Sequence, residues 1–245
     1  MVGGRYSLLG VGIYSPAEAA RILRVAGEGL ESLTSQKLRR WARGYWHPSG
    51  DESRFSSPVI RPELEGACAI EAVSFRDLLE LGFIATFRAQ GVSMPTIRAA
   101  ARRGAELFGT DHPFTVKSFR TDGRDIFAEL EHDDSLEPGR RRQVLQEAIT
   151  GQSVFAEFIE PFLKKIEFGP SDARLFHPLG EAHPVVLDPQ RSFGRPLIDS
   201  AGVGTYALYM ASEGGNSAED IARWYDVAIS DVRAALEFEG ALKAA

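Results

Sequence analysis

In the first quarter of the chain, apolar and polar positions follow the period of an α-helix in two short stretches. Apolar residues recur at intervals of three and four along 16–26, and Gly27 ends the run. Ser15 starts this helix, because its hydroxyl can accept from the amide of Glu18 while the Glu18 carboxylate reaches back. A second helix is expected at about 34–45, and its apolar face holds Leu38, Trp41, Ala42 and Tyr45. The pattern therefore predicts a helix pair that shares one small core.

The face of the second helix opposite that core is basic and carries an amide group. In a major groove, arginine pairs with guanine edges and glutamine with adenine edges, so such a face suits a recognition helix. Residues 46–62, rich in Pro, Ser, Gly and Asp, suit a wing beside it. The alternative is an ordinary solvated surface helix. The residues that we expect to contact DNA are Ser35, Gln36, Lys37, Arg39, Arg40, Arg43, Tyr45, Trp46 and Arg54.

The middle of the chain carries further helical and strand patterns. Ser74 and Asp77 repeat the capping box and open a helix that packs against the first two. Another helix is expected at 95–108. Alternating apolar runs at 114–119 and 125–130 flank an Asp-Gly turn and predict a β-hairpin.

A longer helical stretch is expected at about 140–166, interrupted near Pro161. Its apolar residues serve either as core or as the interface of a dimer, and sequence periodicity does not separate the two. The candidate dimer contacts are Phe155, Phe158, Ile159 and Phe162.

The last third of the chain begins with helix breakers and ends with three helices. Pro and Gly recur between 169 and 184, which predicts a linker with a domain boundary near residue 178. The stretch 217–223 repeats the pattern of 15–21, so both ends carry a short helix-turn-helix signature. The expected elements are strands at 184–188 and 195–199 and helices at 204–213, 217–225 and 229–240.

Charge distinguishes these two ends. The net charge of the 245 residues is −6, but residues 1–62 hold nine Lys and Arg against five Asp and Glu, whereas residues 179–245 hold five against ten. Phosphate contacts need a local excess of Lys and Arg, so the N-terminal copy suits nucleic acid. The acidic C-terminal copy suits contact with a protein instead. The alternative for it is a folded cap or a dimerisation unit.

Several classes of function are disfavoured. No apolar run reaches the length of a membrane helix, and the N-terminus has no signal-peptide pattern, so we expect a cytoplasmic protein. The single cysteine, Cys68, forms no internal disulfide. The histidines show no metal-ligand spacing, and no phosphate loop or nucleophile elbow occurs, so we expect no metal, no cofactor and no catalysis. The histidines are His47, His112, His132, His177 and His183.

The N-terminal part resembles a known DNA-binding architecture. The stretches YSPAEAARIL (14–23), LRRW (38–41) and SFRDL (74–78) resemble the winged helix-turn-helix of the MerR type, over roughly residues 13–108. The resemblance implies a DNA-binding head. The segment between the first two helices, 24–34, is longer than the tight turn usual in that family.

The C-terminal part resembles the small domain of unknown function found in many predicted bacterial antitoxins. Joined to a MerR-like head, it is similar to the VapB-type antitoxins of long architecture. That resemblance implies a toxin partner with a PIN-like ribonuclease fold, dimerisation, and repression of the pair's own promoter. Because a PIN-like active site is a cluster of carboxylates, Arg191 and Arg195 are candidates for contact with the toxin. The matching stretches are PVVLDP (184–189), FGRPLI (193–198), SAEDIA (217–222) and ISDVRAAL (229–236).

Together these patterns predict a mainly α-helical protein with a small β component. The expected parts are a MerR-like winged helix-turn-helix DNA-binding domain (1–110), a β-hairpin and helical connector suited to dimerisation (111–178), and an acidic three-helix antitoxin domain (179–245). The expected function is that of a homodimeric antitoxin of a type II toxin-antitoxin pair, which binds its toxin and double-stranded promoter DNA. The alternative is a ligand-responsive MerR-like transcriptional regulator without a toxin partner.

Overall fold

The computed structural model describes residues 9–50, 52–64, 71–130 and 155–245. Cys68, His132 and residues 131–154, where part of the long helix was expected, lie outside the described residues. The fold is mainly α-helical with a small β component, as predicted. None of the described helices combines the length and the apolar character that crossing a bilayer requires.

The N-terminal part is a helix pair followed by a two-stranded antiparallel sheet. Ser15 and Glu18 form the expected capping box, with the Ser15 amide donating to the Glu18 carboxylate at 2.8 Å. Thr34 caps the second helix, and the sheet places Trp46 directly opposite Phe55. The predicted helix pair is confirmed, and the predicted wing is a hairpin. The elements are α1 (Pro16–Ala26), α2 (Ser35–Arg43), β1 (Tyr45–Ser49) and β2 (Glu52–Ser56).

The next helix lies at the centre of the molecule. It begins at the predicted capping box of Ser74 and Asp77, and every residue from there to Phe87 is buried except Arg76. A helix buried on all sides must be surrounded by other elements, and this one contacts α1, α2, α4 and the segments 113–115 and 155–159. The elements are α3 (Phe75–Ala89) and α4 (Met94–Phe108).

Residues 114–130 are not the predicted β-hairpin. After a short 3-10 turn they form α5 (Lys117–Leu130). Phe119 and Ile126 are buried and lie seven residues apart, which is two helical turns. The Phe119 ring meets the ring of Phe83 in α3 edge-on, with centroids 5.6 Å apart. The prediction was wrong because short apolar runs fit either period, and packing against α4 and the Phe83 ring of α3 selected the helix.

A hairpin of the middle region does exist, further along the chain. β3 (Ile166–Phe168) pairs antiparallel with β4 (Ala173–Phe176), and β4 lies within the segment that was predicted to be a linker. Phe176 is fully buried and exchanges two backbone hydrogen bonds with Leu187, at 2.8 and 3.0 Å. The linker prediction was wrong because the prolines and glycines form tight turns between packed segments. The division of the chain near residue 178 stays a prediction.

The residues predicted to form a dimer interface lie just before β3. Ile159 and Phe162 are buried in the protomer's own core, and Phe158 packs half-buried against it. The apolar surfaces of Ile159 and Phe162 are therefore already covered within the protomer, whereas a dimer contact at Phe158 stays a prediction. The side chain of Phe155 lies outside the described part. The elements here are a π-helical turn (Phe155–Ile159) and α6 (Glu160–Leu163).

The C-terminal part has a core of its own. Two short strands pair antiparallel with Val185 opposite Ile198, and three helices pack over them, as predicted. Asp226, in the left-handed conformation, ends the second of these helices. The elements are β5 (Val185–Val186), β6 (Leu197–Ile198), α7 (Thr205–Glu213), α8 (Ala218–Tyr225) and α9 (Ile229–Ala244).

The two ends of the chain are in direct contact. The Tyr14 hydroxyl donates to the carbonyl of Gly194 at 2.7 Å, and burial raises the pKa of Tyr14. Val25 of α1 packs against the C-terminal core, and Leu242 of α9 contacts both cores. The helix-pair region is therefore joined to the C-terminal part by packing as well as by the chain.

A buried ion pair lies beside α3. His112 Nδ1 is 3.2 Å from Glu80 Oε2 and 4.0 Å from Asp77 Oδ1, and the amide of Phe114 donates to Glu80 at 3.2 Å. Burial disfavours the charged form of His112, but the hydrogen bond and charge of Glu80, together with Asp77, outweigh it, so the pKa of His112 is raised. Burial raises the pKa of Glu80 as well. The folded protein thus holds protons in this cluster more tightly than the unfolded chain does.

This cluster predicts a pH dependence of stability. Because the folded pKa of His112 is raised, its stabilising contribution is fully present below the unfolded pKa of about 6.5 and is lost as the pH rises through the folded value. Glu80→Gln removes the carboxylate that favours the proton, so the decline in the free energy of unfolding above that pH should shrink. Urea unfolding between about pH 6 and pH 9 measures this slope.

The matched control is Glu106→Gln on α4, because Glu106 is largely exposed. Its ion pair with Arg103 is long, at 3.9 Å, and therefore weak. We expect this control to keep the wild-type slope. An unchanged slope in Glu80→Gln would contradict the assigned role of the pair.

Candidate nucleic-acid interface and partner surface

The helix α2 has one buried anchor and a wide exposed face. Leu38 is 1% exposed, and Trp41 and Ala42 lie half-buried on the same side. Gly44 ends the helix with a φ of 74°, a backbone conformation that favours glycine. The helix is therefore held by its apolar side, which leaves the opposite side in solvent.

Most of the predicted DNA contacts are exposed, either on that side of α2 or on the wing that follows it. No acidic residue lies on α2, so the positive potential of its exposed face is not offset from within the helix. Ser35 and Tyr45 are half-buried. The exposed members of the predicted set are Gln36, Lys37, Arg39, Arg40, Arg43, Trp46 and Arg54.

The cations of this face differ in how far they are already engaged. Lys37 Nζ donates to the carbonyl of Ser32 at 3.0 Å, and Arg39 forms a close ion pair with Glu71. The Arg40 guanidinium lies over the ring of Tyr45, 5.1 Å from its centroid, and a cation–π interaction with the ring stabilises it there. By contrast, the side chains of Gln36 and Arg43 have no hydrogen-bond or ionic partner among the residues that the structure describes.

The wing adds an exposed aromatic pair to the basic face. Trp46 is 70% exposed and Phe55 44%, and their rings lie 5.3 Å apart across the two strands. Arg54 pairs with His47 in the same register. Phe55 and Glu71 were missed by sequence reasoning, because their relevance depends on strand register and on a contact across 32 residues.

The C-terminal part exposes a second apolar surface, at the turn between α8 and α9. Trp224 is 63% exposed, Tyr225 37% and Ile229 38%, and we call these three residues the turn patch. Acidic residues flank the patch in sequence. The two nearby arginines already form ion pairs, Arg223 with Asp220 and Arg233 with Glu219 at 3.8 Å. Large exposed aromatic residues in such a patch are typical of protein-binding surfaces. Sequence reasoning missed the turn patch, because helical spacing alone does not show exposure.

The two arginines predicted to contact a partner have different environments. Arg191 is held within the chain: its guanidinium bonds Asp188 at 2.6 Å and Asp199 at 2.5 Å. Burial disfavours its charge, but these carboxylates outweigh that effect and raise the pKa of Arg191. Arg195 is exposed, and no acidic side chain within the described ranges lies within 4 Å of it. Arg191 thus braces a turn, and Arg195 remains available to a ligand or partner.

The described part of the chain contains no group of three or more His, Cys, Asp or Glu side chains that could hold a metal ion. The Glu80 and His112 pair lies in the core, where its polar atoms are bonded to each other and to the backbone. Its chemistry is therefore that of a structural ion pair.

Comparison with known proteins adds a family match for the C-terminal part. A family model described as "Protein of unknown function (DUF433)" matches residues 185–238. These residues form a DUF433 segment. It runs from β5 into α9 and therefore includes Arg191, Arg195 and the turn patch.

A sequence comparison and a structure comparison each give a Mycobacterium tuberculosis match over nearly the whole chain. A protein of strain ATCC 25618 / H37Rv named "Putative antitoxin VapB45" is 29% identical over 236 residues, 93% of each chain. The crystal structure of Rv2018 matches with a TM-score of 0.63 over 93% of this chain and 99% of that chain, at 22% identity. At that identity the structural likeness establishes a shared fold.

The burial pattern of α2 predicts which of its residues serve stability. Leu38→Ala should lower the free energy of unfolding by about 2–4 kcal/mol, because it leaves a cavity between α2 and the core. Arg43→Ala on the exposed side should change it by less than about 0.5 kcal/mol. Urea unfolding of both variants measures the difference. A large loss in Arg43→Ala would mean that the basic face is needed for folding.

Proposed function

We propose that this protein is an antitoxin that binds a PIN-like ribonuclease toxin and represses the promoter of its own operon. The observation that carries the proposal is the separation of two unlike surfaces on one chain: the basic face of α2 with its wing, and the acidic DUF433 segment with its turn patch. The similarity to a protein named as an antitoxin supports it. The proposal assigns no catalytic step to this protein, and its site of action is the cytoplasm, where promoter and toxin both occur.

In the DNA-binding half of the proposal, α2 enters a major groove. Its exposed Gln36, Arg40 and Arg43 face the base edges, while Lys37 and Arg54 contact phosphates. The exposed rings of the wing lie against the sugar-phosphate backbone or the minor groove. The protein acts as a homodimer, since helix-turn-helix proteins commonly bind paired half-sites. The dimer interface lies away from Ile159 and Phe162, whose surface is already buried.

A triple substitution tests the DNA-binding half. Gln36→Ala, Arg40→Ala and Arg43→Ala together should weaken binding to the DNA upstream of the gene by at least about 100-fold, because each lost base contact costs about 1–3 kcal/mol. Fluorescence anisotropy with a labelled fragment at fixed salt gives the affinity. The control is Arg102→Ala with Arg174→Ala, which removes the same charge from two exposed positions elsewhere.

We expect the control to bind DNA nearly as wild type does. Equal losses of DNA affinity in the two variants would show that net charge alone causes the effect. The assignment of α2 as a recognition helix would then fail.

In the partner-binding half, the turn patch is the contact for the toxin. An apolar centre flanked by acidic residues complements a basic surface, and a ribonuclease needs such a surface to bind RNA. Trp and Tyr are the residue types that most often dominate a protein interface. Co-expression with the product of the adjacent gene tests this half, since an antitoxin should copurify with the toxin and restore growth.

Within that complex, Trp224→Ala should weaken toxin binding by about 30-fold, the effect of losing one central aromatic contact. The matched control is Trp46→Ala, which removes an equally exposed tryptophan from the wing. Biolayer interferometry with the purified toxin gives both affinities, and DNA binding is measured in parallel. A loss of toxin binding in Trp46→Ala with none in Trp224→Ala would place the toxin on the other end of the chain.

The second candidate function is a ligand-responsive regulator without a toxin. It is favoured by a groove of about 570 Å³ between α1 and the DUF433 segment. If no protein of the operon copurifies and growth is not restored, this alternative replaces the antitoxin proposal.

A further inference from the structure

The groove lies where the two ends of the chain meet. Its walls come from α1, from the turn at 192–194, and from α7 and α9, and its volume is about 570 Å³. Pockets of a few hundred Å³ at such junctions are the usual size and place of small-molecule sites. We call it the junction groove.

Most of the junction groove is apolar or aromatic. Aliphatic side chains come from both ends of the chain, and two tyrosines of α7 add rings to one wall. Tyr206 is 61% exposed, which is high for an aromatic residue of a packed helix. The apolar lining residues used in the argument are Ile13, Ile22, Pro196, Tyr206, Tyr209 and Leu242.

The acidic side chains of the groove are already engaged. Glu18 accepts from the Ser15 amide at 2.8 Å as part of the α1 capping box. Glu239 accepts from the Thr205 hydroxyl in a close hydrogen bond. Both carboxylates therefore have a structural role and are oriented by neutral donors.

The basic side chains are only partly engaged. Lys243 contacts the Tyr209 hydroxyl and lies 3.4 Å from Glu213. Arg21 of α1 and Arg195 both line the groove and are exposed. Neither has an acidic partner within 4 Å in the portion of the chain that the structure describes. An apolar groove with two guanidinium groups that have no ion-pair partner is complementary to an amphipathic anion.

Strained backbone places one of these arginines. Ser192, Phe193 and Gly194 are consecutive left-handed residues with φ of 47°, 54° and 80°. The two non-glycine residues cost about 1–3 kcal/mol each, a strain that persists only where the surroundings enforce it. Here the Ile13 amide donates to the Phe193 carbonyl at 3.0 Å, and Tyr14 bonds the next carbonyl.

A close approach explains the glycine of this turn. A Cβ on Gly194 would lie 2.4 Å from the Tyr14 hydroxyl, so no other residue fits. The residue that follows, Arg195, is thereby held at a fixed position beside α1. Strain of this kind occurs preferentially at binding sites, and here it sets the cationic end of the groove.

We propose that the junction groove binds a small amphipathic carboxylate, with its aliphatic or aromatic body on the apolar wall and its carboxylate on Arg21 and Arg195. The bound molecule bridges α1, the first helix of the helix pair, and the DUF433 segment. Because the molecule contacts both parts, its binding affinity depends on how these two parts are arranged relative to each other. The site uses neither the exposed face of α2 nor the turn patch.

Two probes represent the two possible ligand bodies: sodium decanoate, below its micelle concentration, for an aliphatic chain, and 1-naphthylacetate for an aromatic ring. Isothermal titration calorimetry with the full-length protein measures their affinities. We expect at least one to bind, and Arg21→Gln with Arg195→Gln to weaken it at least tenfold. Ala207→Trp, which adds bulk to the groove wall, should abolish binding.

Three controls make the result specific. Arg223→Gln with Arg233→Gln changes the charge equally on the outer face of the DUF433 segment and should leave the affinity unchanged. Decanol, which lacks the carboxylate, should bind at least tenfold more weakly than decanoate. Circular dichroism and thermal unfolding confirm that each variant is folded. Changes in the NMR chemical shifts of the backbone amides of Gly204 and Thr205 locate the bound probe.

The proposal is overturned if neither probe binds the wild type, if the groove variants bind as the wild type does, or if the amide shifts fall outside the groove. Loss of toxin or DNA binding elsewhere in the molecule has no bearing on these measurements, so the groove and the antitoxin proposal fail separately.

Discussion

Burial of α3 on all sides is the constraint on which the rest of the structure depends. A helix without a solvent face requires partners all round, and α1, α2, α4 and the residues near 113 and 159 supply them. Gly82 permits the closest approach, since a Cβ there would lie 2.7 Å from the Phe162 ring and 2.9 Å from Leu23. The same burial carries Glu80 into the core, where His112 and the Phe114 amide compensate its charge.

This arrangement leaves the functional surfaces at the edges of the molecule. Because Leu38 alone is fully buried on α2, the remaining positions of that helix are free to carry charge. The DUF433 segment has its own core, so its turn patch is not needed to cover the N-terminal part. Tyr14 and Gly194 hold the two parts together, and the junction groove opens beside that contact. The residues proposed for recognition are therefore almost all different from those that form the core.

Particular elements show where sequence patterns succeed. Ser15 with Glu18 and Ser74 with Asp77 predicted their helices correctly, because a capping box involves only residues three apart. The hairpin predicted at 114–130 failed because Phe119 packs on the Phe83 ring, which is remote in sequence, and Ile126 packs near Gly104 of α4. The linker predicted at 169–184 failed for a related reason: turn residues signal a change of direction and do not show whether the flanking segments are packed.

The sequence by itself determined the helices at both ends, the mainly α-helical fold and the opposite charges of the two ends, since these depend on local spacing and composition. It also indicated the basic face of α2, because an amphipathic helix reveals its exposed side through its period. Only the tertiary structure decided that Arg191 is internally paired while Arg195 is not, that Ile159 and Phe162 are core, and that Trp224 is exposed. The pairing of Arg191 depends on the turn that brings Asp188 and Asp199 to its guanidinium. The burial and exposure of the other residues depend on which distant residues become neighbours, and no local pattern encodes that.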